Sequence, residues 1–253
     1  MDAVPLIAMK AVSKFFGAVR ALEGVDFEVM PGEVVGLVGD NAAGKSTLMK
    51  VLSGAHVPDE GELWVNGKPA RIATPQDARA LGIEMLYQHF ALAGNISIYQ
   101  NVYLGRELTT PYLGGLIRVL DKRRMEARAA EVLGRLRIRV DSVRQKVKQL
   151  SGGQQQSVAI GRAISFNARL IIMDEPTANL GIKEVNNLLA LIRRLKDEGV
   201  SVVFISHRLD DVFAVGDRVI VLKSGRRVGE RRVAETTMDE VVRLIVGGEA
   251  MAA

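Results

Sequence analysis

An α/β fold is predicted by three observations along this chain. The loop Gly39-Asp40-Asn41-Ala42-Ala43-Gly44-Lys45-Ser46-Thr47 follows the apolar run 34–38 and precedes the helix-like segment 48–52. Two further short apolar runs, 170–173 and 200–205, end in Asp174-Glu175-Pro176 and Ser206-His207-Arg208. Between these strand-like halves, residues 91–165 carry the helical period, clearest in the amphipathic segment 123–136.

The first of these elements carries the most chemistry. A strand, a G-x-x-x-x-G-K-S loop and a helix, in that order, are the context in which the P-loop pattern has physical meaning. Successive backbone N–H groups in such a loop point inward and cradle phosphate oxygens, and the positive end of the following helix adds to the attraction. Lys45 supplies a full charge to the outer phosphates, and the Ser46 hydroxyl is placed to ligate Mg²⁺. The chain is therefore expected to bind a nucleoside triphosphate.

Composition narrows the setting. At 253 residues there is ample core for one large or two modest domains. Cysteine is absent, which excludes a disulfide framework, thiolate metal sites and a cysteine nucleophile. No apolar run approaches the ~20 residues that span a bilayer. The start Met1-Asp2-Ala3-Val4-Pro5 lacks the basic-then-apolar pattern of a signal peptide, so the expected location is the cytoplasm. The net charge of +5 comes from dispersed Lys and Arg, which suits a solvated surface better than a nucleic-acid patch.

Segments 6–12 and 25–30 alternate as strands and bracket a short loop, Ser13-Lys14-Phe15-Phe16-Gly17. Of two adjacent aromatics at most one is needed for a core, so the pair is either core packing or one core ring with the other presenting its face to a base. Pro31-Gly32-Glu33 turns the chain into the strand that feeds the P-loop. Gly61 to Gly67 reads as a hairpin arm closed by an Asn66-Gly67 turn. A short helix over 75–81 precedes a strand over 83–87, which ends at Gln88-His89-Phe90. Gln88 is a neutral side chain able to ligate Mg²⁺ or orient a water.

Leu150-Ser151-Gly152-Gly153-Gln154 opens the helix-like run 158–164. Ser151 is a good N-cap and the paired glycines leave backbone amides open, which makes either a second anion site or an ordinary Ser-capped helix. Asp174, at the end of a buried strand, fits the carboxylate that holds the metal shell in a P-loop protein. Glu175 then points elsewhere and could take a proton from an attacking water. His207 lies at the strand edge where open α/β sheets keep their ligands. Residues 183–198, 219–222, 227–230 and 238–246 complete the pattern as a helix, two strands and a last helix.

Taken together, a P-loop, a Gln at a strand end, Leu-Ser-Gly-Gly-Gln, four apolar residues then Asp-Glu, and Ser-His resemble, over essentially the whole chain, an ABC-type ATPase nucleotide-binding domain. The resemblance implies one domain over 1–253. Its P-loop NTPase core has a mainly parallel sheet and an N-terminal antiparallel β subdomain (1–90 and 166–253), with an inserted helical subdomain (91–165) carrying the signature. It implies ATP and Mg²⁺ as cofactors, with Ser46, Gln88 and Asp174 at the metal. Glu175 would be the general base, with His207 and Gln88 beside the γ-phosphate. Phe16 would stack on adenine. Gly39, Asp40, Asn41, Ala42, Ala43, Gly44, Lys45, Ser46 and Thr47 would hold the phosphates. Ser151, Gly152, Gly153 and Gln154 would grip the ATP of a second copy in a head-to-tail dimer.

Two positions depart from that pattern. The loop after Glu175 usually ends in aspartate, but here Ala178-Asn179-Leu180-Gly181 ends in glycine. The P-loop has Ala42 where many members have Gly, at a cost of about 1–2 kcal/mol if that position needs positive φ.

Segments such as 175–181, 102–107 and 205–209 resemble the ATP-binding subunits of bacterial monosaccharide importers of the ribose/xylose/fructose type. That implies peripheral attachment at the cytoplasmic face of the inner membrane, with permease subunits as direct partners, a periplasmic sugar-binding protein as an indirect one, and no nucleic acid. Other readings are an importer of another small solute such as a nucleoside, or a soluble ABC ATPase acting on nucleic acid or ribosomes. A P-loop kinase leaves Leu150 to Gln154 unexplained.

Overall fold

The computed structural model describes residues 4–86, 92–112, 114, 116–178 and 180–247. Strand β1 (Ile7–Phe16) pairs antiparallel with β2 (Val19–Val29), from Ile7↔Val29 to Phe16↔Val19. The expected loop at 13–17 is thus corrected, because Ser13 to Phe16 belong to β1. Register shifts between Met9 and Val12 and between Val12 and Lys14, with Ala11 in the left-handed region at φ 48°, break the two-residue alternation on which the expectation rested.

Strand β3 (Val34–Val38) is buried along its length and passes through the glycine loop into helix α1 (Lys45–Leu52). Strands β4 (Glu60–Val65) and β5 (Lys68–Ala70) form the hairpin expected at Asn66-Gly67, where both turn residues take positive φ, 51° and 73°. Helix α2 (Pro75–Ala80) starts on proline and is closed by a capping box between Thr74 and Asp77. Strand β6 (Ile83–Leu86) follows.

The chain divides into two compact units, one of 1–88, 169–178 and 192–253, the other of 89–168 and 179–191. In the second, α3 (Ile98–Tyr103), α4 (Lys122–Arg135) and α5 (Gly152–Ile164) pack through Ile98, Val102, Met125, Leu133 and Val158. The Asn101 amide, fully buried there, donates to the carbonyls of Ala93 (2.9 Å) and Ser97 (3.0 Å) and accepts the Ala93 N–H (2.7 Å). Between α3 and α4 lies an antiparallel pair, β7 (Thr109–Tyr112) and β8 (Ile117–Leu120), where a helical pattern was expected. Thr109, Thr110, Pro111 and the β-branched Ile117 and Val119 favour extended backbone over helix.

The first unit resumes with β9 (Leu170–Asp174). Helix α6 (Ile182–Asp197) is divided between the units after residue 191, and β10 (Ser201–Ile205), α7 (Leu209–Val215), β11 (Arg218–Lys223), β12 (Arg226–Arg232) and α8 (Met238–Gly247) follow in the first unit. Its larger sheet runs β12-β11-β3-β10-β9-β6, parallel throughout except for the antiparallel edge pair β11–β12. The smaller sheet, β2-β1-β4-β5, is antiparallel. Strands buried on both faces explain the continuous apolar runs in β3, β9 and β10. Leu37, Ile172 and Ile205 of the parallel sheet share one core with Phe27, Leu48 and Leu52. Each such side chain contributes about 1.5–3 kcal/mol on burial.

One polar cluster ties β3 to its neighbours. Arg218 donates to both oxygens of Glu33 (2.7 and 2.9 Å), to Glu230 (2.6 Å) and to the Glu28 carbonyl (2.8 Å). Burial disfavours the guanidinium charge, but the hydrogen bonds to Glu33 and Glu230 outweigh it and hold its pKa above the ordinary arginine value. Among the described residues no helix is long and apolar enough to cross a membrane.

Candidate functional site

Lys45, Ser46, Asp174, Glu175 and His207 gather at the C-terminal ends of β3, β9 and β10, which are adjacent and parallel. That edge is where open parallel sheets leave backbone groups and side chains free for ligands. The loop after β3 is shaped by its glycines. Gly39 has φ +144°, and a Cβ there would lie 2.1 Å from the Leu222 carbonyl oxygen, so no other residue fits. Gly44, at φ +99°, caps α1. The loop is closed by Ala43 N–H donating to Asp40 O (3.1 Å) and by Gly225 N–H donating to Ala43 O (3.1 Å). Ala42 does take positive φ, 64°, so the strain expected of an alanine at this position is present. Asp40, Asn41 and Ala42 are exposed, and Ser46 and Thr47 half-buried at the first turn of α1.

Lys45 is buried and folds back over this loop, its Nζ donating to the carbonyls of Gly39 and Asp40, each at 2.7 Å. Burial lowers the pKa of its ammonium, an effect opposed by the nearby charges of Glu175, Asp174 and Asp40. Asp174, the last residue of β9, is half-buried, and burial raises its carboxyl above the usual range. The Ser46 hydroxyl donates to it and lowers it, Glu175 raises it, and Lys50 and Lys45 lower it. A desolvated carboxylate paired with a hydroxyl is a suitable pair of ligands for Mg²⁺, which takes one or two carboxylates and completes its octahedron from water and phosphate. Among the described residues no group of three or more His, Cys, Asp or Glu side chains could hold a metal by itself.

Glu175 turns the chain off β9 in the left-handed region, φ 47°, with its N–H bonded to Ile205 O at 3.0 Å. Its Oε1 lies 3.6 Å from Nδ1 of His207, which is exposed at the end of β10. Ser206 anchors that turn, its hydroxyl accepting the Arg208 N–H at 3.0 Å. Phe16 is exposed at the tip of the β1–β2 hairpin, whose Ala21 carbonyl and Leu22 side chain abut Gly44 of the loop. Gln88 lies outside the described residues, as do His89, Phe90 and Asn179.

In the other unit, Ser151 caps α5, its Oγ accepting the Gln154 N–H (3.3 Å) while Gln154 Oε1 accepts the Ser151 N–H (3.0 Å). Gln154 Nε2 donates to the Arg139 carbonyl at 3.2 Å. Both ends of the Gln154 side chain are therefore engaged within the chain, and no described residue accepts a hydrogen bond from the Ser151 hydroxyl. Nothing lies within 4 Å of a Cβ built on Gly152, but one on Gly153 would meet Glu184 at 3.2 Å. Glu184 also accepts the Gly181 N–H (3.2 Å).

Sequence reasoning missed the surroundings of Phe16. His56 meets its ring in a T-shaped contact, and Lys14, itself paired with Asp59, sits over it. No motif spacing marks these residues, since a hairpin and a helix end bring them together.

Known proteins resemble this chain in sequence and in fold. A family model described as ABC transporter matches residues 22–178. The ribose import ATP-binding protein RbsA 1 of Rubrobacter xylanophilus is 49% identical over 96% of this chain and 47% of its own length. The xylose/arabinose import ATP-binding protein XylG of Sulfolobus acidocaldarius is 43% identical over 95% of this chain and 93% of its own. The chain thus spans about half of the ribose protein and nearly all of the xylose/arabinose one. Among solved structures, the ADP conformation of the cassette MJ1267 superposes with a TM-score of 0.81 at 27% identity, covering 96% of each chain. A dimeric post-hydrolysis cassette, MJ0796 with ADP and Pi, gives 0.73 at 28%, covering 90% of this chain and 98% of that one.

Proposed function

This chain belongs to the ABC transporter family, and from that premise we propose that it binds and hydrolyses ATP to drive monosaccharide import through separate membrane permease subunits. The observation that carries the ATPase reading is the meeting of Lys45, the Ser46–Asp174 pair and the Glu175–His207 pair at one edge of the parallel sheet. Lys45 would exchange the Gly39 and Asp40 carbonyls for outer phosphate oxygens, and the loop amides would hold the rest. Ser46 and Asp174 would ligate Mg²⁺, with Gln88 as a further ligand. The metal would neutralise charge on the phosphates.

Glu175 would accept the proton of a water attacking the terminal phosphate. His207 Nδ1, already close to Glu175, would hold that carboxylate and the water in line. Phe16 would stack on the base. Catalysis of this kind is mainly positioning and charge stabilisation, which a rigid sheet edge supplies.

In this reading a second copy completes the site, as the dimeric form of MJ0796 supports. Ser151 Oγ and the amides of Gly152 and Gly153 would receive the partner's γ-phosphate, with Gln154 holding the turn in shape. Asp40, Asn41, Ala42, Ala43, Gly44 and Thr47 would act through the loop backbone and the start of α1. The names of the ribose and xylose/arabinose relatives support a sugar as cargo. The partners would be a permease at the cytoplasmic face of the membrane and, through it, a periplasmic sugar-binding protein.

Purifying the tagged protein from gently solubilised membranes and identifying what accompanies it tests the transport reading. A multi-span permease with a sugar-binding protein is the expected result. Recovery of ribosomal or DNA-repair proteins instead would refute import.

A further inference from the structure

Phe16 is braced on two sides. The His56 ring meets it in a T-shaped contact, centroids 5.3 Å apart and planes at 71°. The Lys14 ammonium sits over its ring, 5.5 Å from the centroid. Lys14 is itself paired with Asp59 at 3.0 Å, and the other Asp59 oxygen accepts the Phe15 N–H at 2.6 Å. That backbone bond, with the Lys14 side chain, holds the Asp59 carboxyl below its usual range. Nevertheless Phe16 remains 45% exposed, which no packing role requires.

His56 lies in the turn that follows α1, past Ser53, Gly54 and Ala55, and its N–H donates to the Lys50 carbonyl in that helix at 3.0 Å. That backbone hydrogen bond ties the helix that begins at Lys45 and Ser46 to the residue that touches the exposed ring. A helix of this length is a rigid spacer, about 1.5 Å per residue.

We propose that His56 is a positioning residue for base recognition, fixing the Phe16 ring at a set distance from the phosphate loop, with the Lys14–Asp59 pair holding the ring's other contacts. The inference rests on the nucleotide-binding reading above and deepens it, since neither the P-loop nor the signature involves His56. A T-shaped aromatic contact is worth enough to change binding about two- to tenfold. Only ligands carrying a base should feel it.

Equilibrium binding of two probes, ATP and inorganic tripolyphosphate, to the full chain and its variants tests this. His56→Ala should weaken ATP about two- to tenfold and leave tripolyphosphate unchanged. His56→Phe, which restores an aromatic edge, should return ATP affinity to the wild-type value. Equal loss for both probes in His56→Ala, or no loss for ATP, overturns the proposal. Phe16→Ala separates the two levels. If it too affects both probes alike, base stacking itself fails; if it is selective for ATP while His56→Ala is silent, only the role of His56 falls.

Discussion

Nδ1 of His207 lies 3.6 Å from Oε1 of Glu175, across the adjacent ends of β10 and β9, and the glutamate reaches that point from a left-handed backbone. The Glu175 N–H bonded to Ile205 O ties the two strand ends together, so the pair is set by the sheet and not by a mobile loop. Removing the imidazole should loosen the carboxylate without disturbing the fold. His207→Ala is expected to lower ATP turnover by about 10²-fold, within the range for general acid–base components, with ATP affinity within about threefold of wild type. Steady-state phosphate release and equilibrium binding read the two quantities separately.

Lys45 donates two hydrogen bonds to loop carbonyls, and in the proposed reading phosphate oxygens would take their place. Charge-assisted hydrogen bonds contribute about 1.5–3 kcal/mol each. Lys45→Ala should weaken ATP by at least about tenfold, measured by titration calorimetry, while the far-ultraviolet circular dichroism stays unchanged.

Asp174 shows the opposite side of building such a site. Its carboxyl is raised, chiefly by burial, so the native state binds its proton more tightly than the unfolded state does. The ligand-free protein should therefore lose stability as pH rises from the ordinary carboxylate value through the raised one, and the penalty persists above it. Asp174→Asn removes that penalty. Its Tm at pH 7 without nucleotide should exceed that of wild type, and Mg²⁺-dependent turnover should be lost. A lower Tm would show that the charge is stabilised in the resting protein.

Ala42 holds φ 64° with an exposed side chain. Ala42→Gly should stabilise the chain by about 1 kcal/mol, read as a shift in the denaturant midpoint at constant m-value.

Much of this was legible because local chemistry dictated it. The P-loop, the Asn66-Gly67 turn, the Ser151 cap and the buried runs ending at Asp174 and Ile205 each follow from residues close in sequence. The extension of β1 through Phe16 was not legible, because bulges around Ala11 shift the alternation by a residue. The β7–β8 pair was hidden by the helical period on either side of it. The bracing of Phe16 by His56 depends on tertiary packing over 40 residues of chain, and no pattern of spacing encodes that contact.

The most direct measurement is single-turnover hydrolysis and nucleotide retention by Glu175→Gln beside wild type, in the presence of Mg²⁺. Loss of a positioned general base predicts turnover reduced by about 10²–10⁴-fold with ATP still bound, and a dimer that persists on size-exclusion chromatography. Hydrolysis by Glu175→Gln at the wild-type rate would contradict the assignment of Glu175 as the base.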